Sequence, residues 1–174
     1  RIDRSGKGYI VHKIGAFGPL IACLSGFFEK LWDKPAPGLT ENYKAVTLSW
    51  TGFALRAMGR LSEAAQPMKA CMKLYENENA EGKNVMIVAN NLSELYLALG
   101  DMASAEKYGA QSVKFADRSG IDFHMESRRT THADALFQAG KNKAAEKLFV
   151  EAEEMQKKRL PDYPYLFSLW GFRF

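Results

Sequence analysis

Three glycines set the strongest constraint on this chain. Gly59, Gly100 and Gly140 stand 41 and 40 residues apart, and the residues around them repeat with them. Five positions after each comes an alanine (Ala64, Ala105, Ala145), and seven further on a small residue (Cys71, Ser112, Ala152). Seven positions before each is another small residue (Gly52, Ser93, Ala133), and four before each a large one (Leu55, Tyr96, Leu136). Self-similarity at a fixed period signals a stacked-repeat architecture, in which no single unit can bury its apolar face alone.

The spacing fits two antiparallel helices per unit, A and B, joined by a tight turn. A glycine ends helix A where a left-handed backbone is cheap only without a Cβ. The small residues mark where A and B cross closely, and the large ones fill the space between them. Helix B reads as an amphipathic stretch at spacing three and four: Leu61, Ala64, Ala65, Met68, Cys71 and Met72 in the first unit, and Leu148, Phe149, Ala152 and Met155 in the third. Only 6 residues are proline, several of them at expected helix boundaries, which agrees with a helix-rich chain.

The segments LRAMGRLSEAAQPMKACMKL, LYLALGDMASAEKYGAQSV and LFQAGKNKAAEKLFVEAEEM resemble tetratricopeptide repeats over about residues 45–160. The resemblance implies an all-α fold, a right-handed α-solenoid of antiparallel helix pairs. Two departures stand out. The period is 40–41 rather than the family's about 34. The helix B position at which the family favours an aromatic is Met68, Gly109 and Phe149, so Gly109 leaves a hole for a neighbour to fill. The expected organisation is a capping helix or degenerate half-repeat with a Pro-rich loop (1–44), repeats at 45–85, 86–125 and 126–160, and the start of a fourth at 161–174. Gly171 falls at the small position of that fourth unit, 38 residues after Ala133, behind the Pro161–Pro164 punctuation.

Residues 14–32 read as one helix, or two short ones broken near Pro19, followed by a loop from Lys34 to Gly38. Thr40 is a good N-cap for the next helix. The stretch Leu20-Ile21-Ala22-Cys23 fits a lipoprotein cleavage box, but the apolar run ahead of it is short and interrupted by glycine and proline, so a buried helix is expected. Cys23 and Cys71 form no CxxC pair, sit among apolar residues and read as two buried thiols in a reducing, cytoplasmic setting. A first residue other than Met and an end inside an apolar run suggest a piece of a longer protein. Segments such as NNLSELYLALGD and YPYLFSLWGF resemble repeat arrays of large bacterial multidomain proteins, some of which follow a nucleotide-binding signalling module.

By the family's register, helix A residues look onto a concave face. They would be Ser49, Trp50, Phe53 and Arg56 in the first unit, Asn90, Asn91, Glu94 and Leu97 in the second, and Thr130, Thr131, Asp134 and Phe137 in the third. The resemblance implies peptide or protein binding there, with Asn side chains pairing to an extended backbone and Trp50, Phe53 and Phe137 pocketing an apolar side chain. Plain solvation, or packing on the neighbouring repeat, is the alternative at these positions. The carboxylate clamp of some family members is not expected. Asn91 fits one clamp position, but Ser49, Phe53, Ser127 and Thr131 stand where its basic and polar partners belong.

Other chemistry finds little support. His12, His124 and His132 lack metal-site spacing; a hydrolase or metal site on Asp122, His124 and His132, with Asp122 and His124 in one loop, is a less favoured alternative. Ser5-Gly6-Lys7-Gly8 lacks the phosphate-loop pattern. The run Gln156-Lys157-Lys158-Arg159 follows Glu153 and Glu154 as an ordinary solvated helix face, without aromatic residues to stack bases. Arg128 and Arg129, read as opening helix A of the third unit, pair with Glu126 or await an acidic partner. A net charge of +4 favours such a partner only weakly.

The expectation is therefore a scaffold that binds protein or peptide, with no enzyme activity and no cofactor or metal. Neither nucleic acid nor membrane is an expected partner. A ligand-responsive sensor array beside a signalling ATPase is the alternative. The aromatics of the last half-helix are expected to offer a dimer contact.

Overall fold

A computed structural model describes residues 15–77 and 83–174. The fold is all-α, with one short two-stranded ribbon. In order it contains α1 (Phe17–Ser25), β1 (Phe28–Lys30), β2 (Lys34–Pro35), α2 (Glu41–Ala57), α3 (Leu61–Asn77), α4 (Lys83–Leu99), α5 (Met102–Ser119), α6 (Asp122–Gln138), α7 (Asn142–Arg159) and α8 (Ser168–Arg173). It divides into two compact units, Arg1–Asn77 and Glu78–Phe174.

The three glycine turns share one geometry. Gly59, Gly100 and Gly140 have φ of +76°, +80° and +76°. Each glycine N–H returns to the carbonyl three residues back: Arg56 at 3.0 Å, Leu97 at 3.1 Å and Phe137 at 2.9 Å. The next N–H reaches five back, to Leu55, Tyr96 and Leu136, at 2.9 Å each. This paired closure satisfies carbonyls that the helix end would orphan. The repeated alanine then makes the first helical bond of the following helix: Ala64 to Arg60, Ala105 to Asp101 and Ala145 to Lys141, all at 3.0 Å. Glycine plus five is therefore the distance from a left-handed residue to the first closed turn of the next helix.

In the first unit α2 packs against α1 and α3. Thr40 caps α2, its hydroxyl accepting from the Tyr43 N–H at 3.4 Å. A Cβ on Gly52 would lie 2.5 Å from the Met68 Cγ, so the small position marks a real close approach of α2 and α3. The helix expected over 14–32 is shorter. Residue 14 lies outside the described residues, Pro19 falls in the first turn of α1, where its missing N–H costs nothing, and the chain leaves the helix after Ser25. The rest turns back as an antiparallel ribbon pairing Phe28 with Pro35. Trp32 makes the reversal at φ +61° and lays its ring edge-on to Phe28, 5.4 Å away. Cys23, expected inside, is exposed on α1. Cys71 is buried, with its Sγ 3.4 Å from the Ala45 carbonyl oxygen.

In the second unit α4 and α5 pack as one pair and α6 and α7 as another, with α6 also against α5, α4 and α8. Ser93 serves its small position by donating to the Ala105 carbonyl at 2.8 Å. Ala133 serves its own beneath Ala145 and Phe149, in a cluster with Leu136, Ala152 and Leu166. Burying a side chain the size of Phe149 contributes about 2–3 kcal/mol. The hole beside Gly109 is filled by His132 and Ser93, whose atoms would stand 3.0–3.2 Å from an added Cβ. Among the described residues no helix is long and apolar enough to cross a membrane.

Candidate functional site

The expected site residues fall on helices A of both units, and each unit shows its own arrangement. On α2 the Trp50 and Phe53 rings meet edge-on at 5.9 Å, and Phe17 of α1 closes on Phe53 at 6.1 Å. Trp50, Phe53 and Arg56 are all half-buried. Phe53 is thus partly covered by the chain itself.

The second unit gathers more of the set. Asn90 and Thr131 are nearly closed to solvent, at 4% and 2% exposure, and Thr130 is fully buried. Asn91, Glu94 and Asp134 are half-buried, and Phe137 is exposed at 54%. Glu94 comes from α4, while Thr131 and Asp134 lie three residues apart on α6, hence on one face. Between them sits a residue of α8. Arg173 places Nη1 2.7 Å from the Thr131 Oγ1, Nη2 2.8 Å from a Glu94 carboxylate oxygen, and Nε 3.6 Å from Asp134. The Thr131 hydroxyl is 3.3 Å from the Ser127 carbonyl, to which it donates, so its lone pairs face the guanidinium. The Arg173 side chain keeps only 11% of its exposure.

Arg128 stands beside this group. Burial holds its guanidinium below the usual arginine range; Glu94 opposes that shift and Arg173 adds to it. Its Nε finds no hydrogen-bond partner among the described residues. Two guanidiniums, Arg128 and Arg173, are thus set around two carboxylates. Next to them, Phe137, Asn142, Glu146, Phe149, Phe172 and Phe174 line an open cleft of about 340 Å³, with Phe174 stacked on Phe149 at 5.2 Å.

Other residues take different places from those expected. Helix α6 begins at Asp122, so Asp122 and His124 are helical rather than in a loop, and Arg128 and Arg129 lie in its second turn. Arg129 pairs with Asp117 at 2.6 Å and Glu151 at 3.3 Å. Glu126, the partner expected for these arginines, is fully buried and is held instead by Arg159, which donates from Nε at 2.8 Å and from Nη2 at 2.7 Å. That bond raises the Arg159 pKa. Gln156, expected on a solvated face, is fully buried and its Nε2 donates to the carbonyls of Tyr163 and Tyr165. His132 is packed against Gly109. Burial lowers its pKa, Glu106 opposes, and Lys141 adds to the lowering.

Among the described residues no three His, Cys, Asp or Glu side chains gather as a metal-binding group. His12 and the Ser5–Gly8 stretch lie outside the described residues. Sequence reasoning placed Glu94, Thr131 and Asp134 on one face, but it missed Arg173 and Arg128 as their companions. The single available signal was Arg173 as a lone basic residue in an aromatic run. Comparison with family models, with curated proteins and with solved structures returned no match.

Proposed function

We propose that this chain is a polypeptide-binding module of tetratricopeptide type, a right-handed array that receives a protein or peptide on its helix A faces in a reducing, cytoplasmic setting. The observation that carries the reading is the seat of Arg173. A residue from outside helices α4 and α6 is held between them by Glu94, Thr131 and Asp134, at positions that the repeat register assigns to the binding face. The half-buried Asn91 and the exposed Phe137 extend that face with an amide and an aromatic ring. On the first helix pair, Trp50, Phe53 and Arg56 offer a second, more aromatic patch. Both thiols are free, which agrees with a reducing compartment.

The test is a peptide-display selection on the 174-residue chain, run in parallel on an Asn91→Ala/Glu94→Ala/Phe137→Ala variant with unchanged circular dichroism. Sequences enriched by the parent and lost by the variant support the reading. The same enrichment with both proteins, or none with either, overturns it.

A further inference from the structure

We infer that Glu94, Thr131 and Asp134 form an arginine-reading slot, that Arg173 fills it as a ligand supplied by the chain itself, and that the partner is a peptide presenting an arginine beside an aromatic residue. This rests on the polypeptide-binding reading and specifies the partner.

The slot is built for a guanidinium rather than for positive charge in general. The three nitrogens of Arg173 meet three different oxygens from two helices: a hydroxyl at 2.7 Å, a carboxylate at 2.8 Å and a second carboxylate at 3.6 Å. A planar fork can satisfy such divergent acceptors at once, whereas a lysine ammonium is a compact point charge on a flexible stem. With Arg173 withdrawn, the Glu94 and Asp134 carboxylates lose the guanidinium between them, so the slot favours a cation in return. The aromatic part of the preference comes from the adjoining cleft. Phe174 follows Arg173 directly and stacks on Phe149 there, at 15° between planes.

The segment that carries the resident ligand leaves part of its aromatic surface to solvent. Helix α8 has six residues, and Phe172, Tyr165 and Tyr163 are exposed at 88%, 73% and 66%. Apolar surface left in water does not hold a segment in place, so these three rings do not resist its release. A partner arginine entering from solution thus competes with a tethered segment of the same chain. The apparent affinity is reduced by the fraction of time that the slot is filled in cis.

The probe is a fluorescein-labelled peptide of residues 168–174, read by anisotropy against the full chain and its Arg173→Ala variant. The variant binds at least about tenfold more tightly than the parent, because the competitor is gone. Replacing the peptide's arginine by lysine costs at least about tenfold, and Asp134→Asn in the Arg173→Ala background removes the gain. Equal affinity for parent and variant overturns the self-ligand, and indifference to arginine against lysine overturns the slot. Should Arg173→Ala fail to fold, hydrogen exchange on the parent decides. Saturating peptide accelerates exchange of the α8 amides if it displaces them, and unchanged exchange rejects displacement. Display-selected peptides that need Asn91 or Phe137 but no arginine would leave the binding module standing and remove this slot alone.

Discussion

Removing Arg159 tests how the second unit is held together. Glu126 lies in the second turn of α6 with no exposure, and Arg159 is the last residue of α7. Their fork ties the second turn of one helix to the end of the next, with the base at a C-terminus, where the helix dipole favours it. Two unit charges about 4 Å apart at an effective dielectric of about 20 attract by about 4 kcal/mol. Breaking a fully buried pair by deleting one partner costs about 3–5 kcal/mol, mostly because the survivor stays buried. The Arg159 side chain keeps a quarter of its exposure, so water reaches that end and the expected loss for Arg159→Met drops to about 2–3 kcal/mol. Urea unfolding followed by far-ultraviolet circular dichroism measures it. The paired change Glu126→Leu/Arg159→Met removes both charges and costs less than half as much as the single change. A single variant within about 0.5 kcal/mol of the parent, or a double variant as unstable as the single, refutes the claim that an enclosed carboxylate depends on this arginine.

Further outcomes follow from other sites. The Cys71 thiol is pushed up to about 12 by burial while Cys23 is exposed, so a thiol reagent at neutral pH modifies one cysteine of the native chain quickly and the second only after denaturant is added. His132 has its pKa lowered below 6.5, so the unfolded chain binds its proton first and stability is lost as pH falls below about 6.5; His132→Gln flattens the unfolding free energy across that window. Gly100→Ala meets no atom within 4 Å but must hold φ near +80°, and loses about 1–2 kcal/mol in thermal or urea unfolding, whereas Gly18→Ala, equally uncrowded, does not. Ala105→Leu, at a position with no exposure, costs about 1–3 kcal/mol by overpacking, while Lys147→Leu on the surface moves the midpoint little.

Local chemistry made much of this fold readable in advance. A left-handed glycine, the alanine five residues on and the Thr40 cap each depend on neighbours within a turn of helix, so their spacing survives in the linear sequence. The ribbon after α1 escaped notice because three residues against two carry no periodicity, and its reversal is made by Trp32, a bulky residue at positive φ where glycine or asparagine would have signalled a turn. The long-range charge pairs are out of reach for another reason. Arg173 lies 79 residues from Glu94, and Arg159 lies 33 from Glu126. Nothing in a run of residues says which distant charge will face it, so the sequence around Glu126 offers only the arginines beside it. Cys23 is exposed despite its apolar neighbours, because an apolar run around a thiol describes a helix without saying which face is covered.

The close approach of Gly109 and His132 also bears on how this sequence can change. An alanine at 109 would press on His132 both at ring Cδ2, 3.0 Å from the new methyl, and at Cα, 3.2 Å away. Only the ring contact can be relieved by altering residue 132; the backbone contact asks α6 to give by a few tenths of an ångström. The two positions therefore form one unit of variation with a preferred order. A lineage that shrinks 132 first relieves the ring contact and leaves only the backbone contact and the Ser93 hydroxyl, 3.1 Å away, to give, whereas one that enlarges 109 first meets all three at once. Among related chains, residues 109 and 132 should accordingly trade size against each other, leaving in alignments a mark of a contact that neither residue reveals alone.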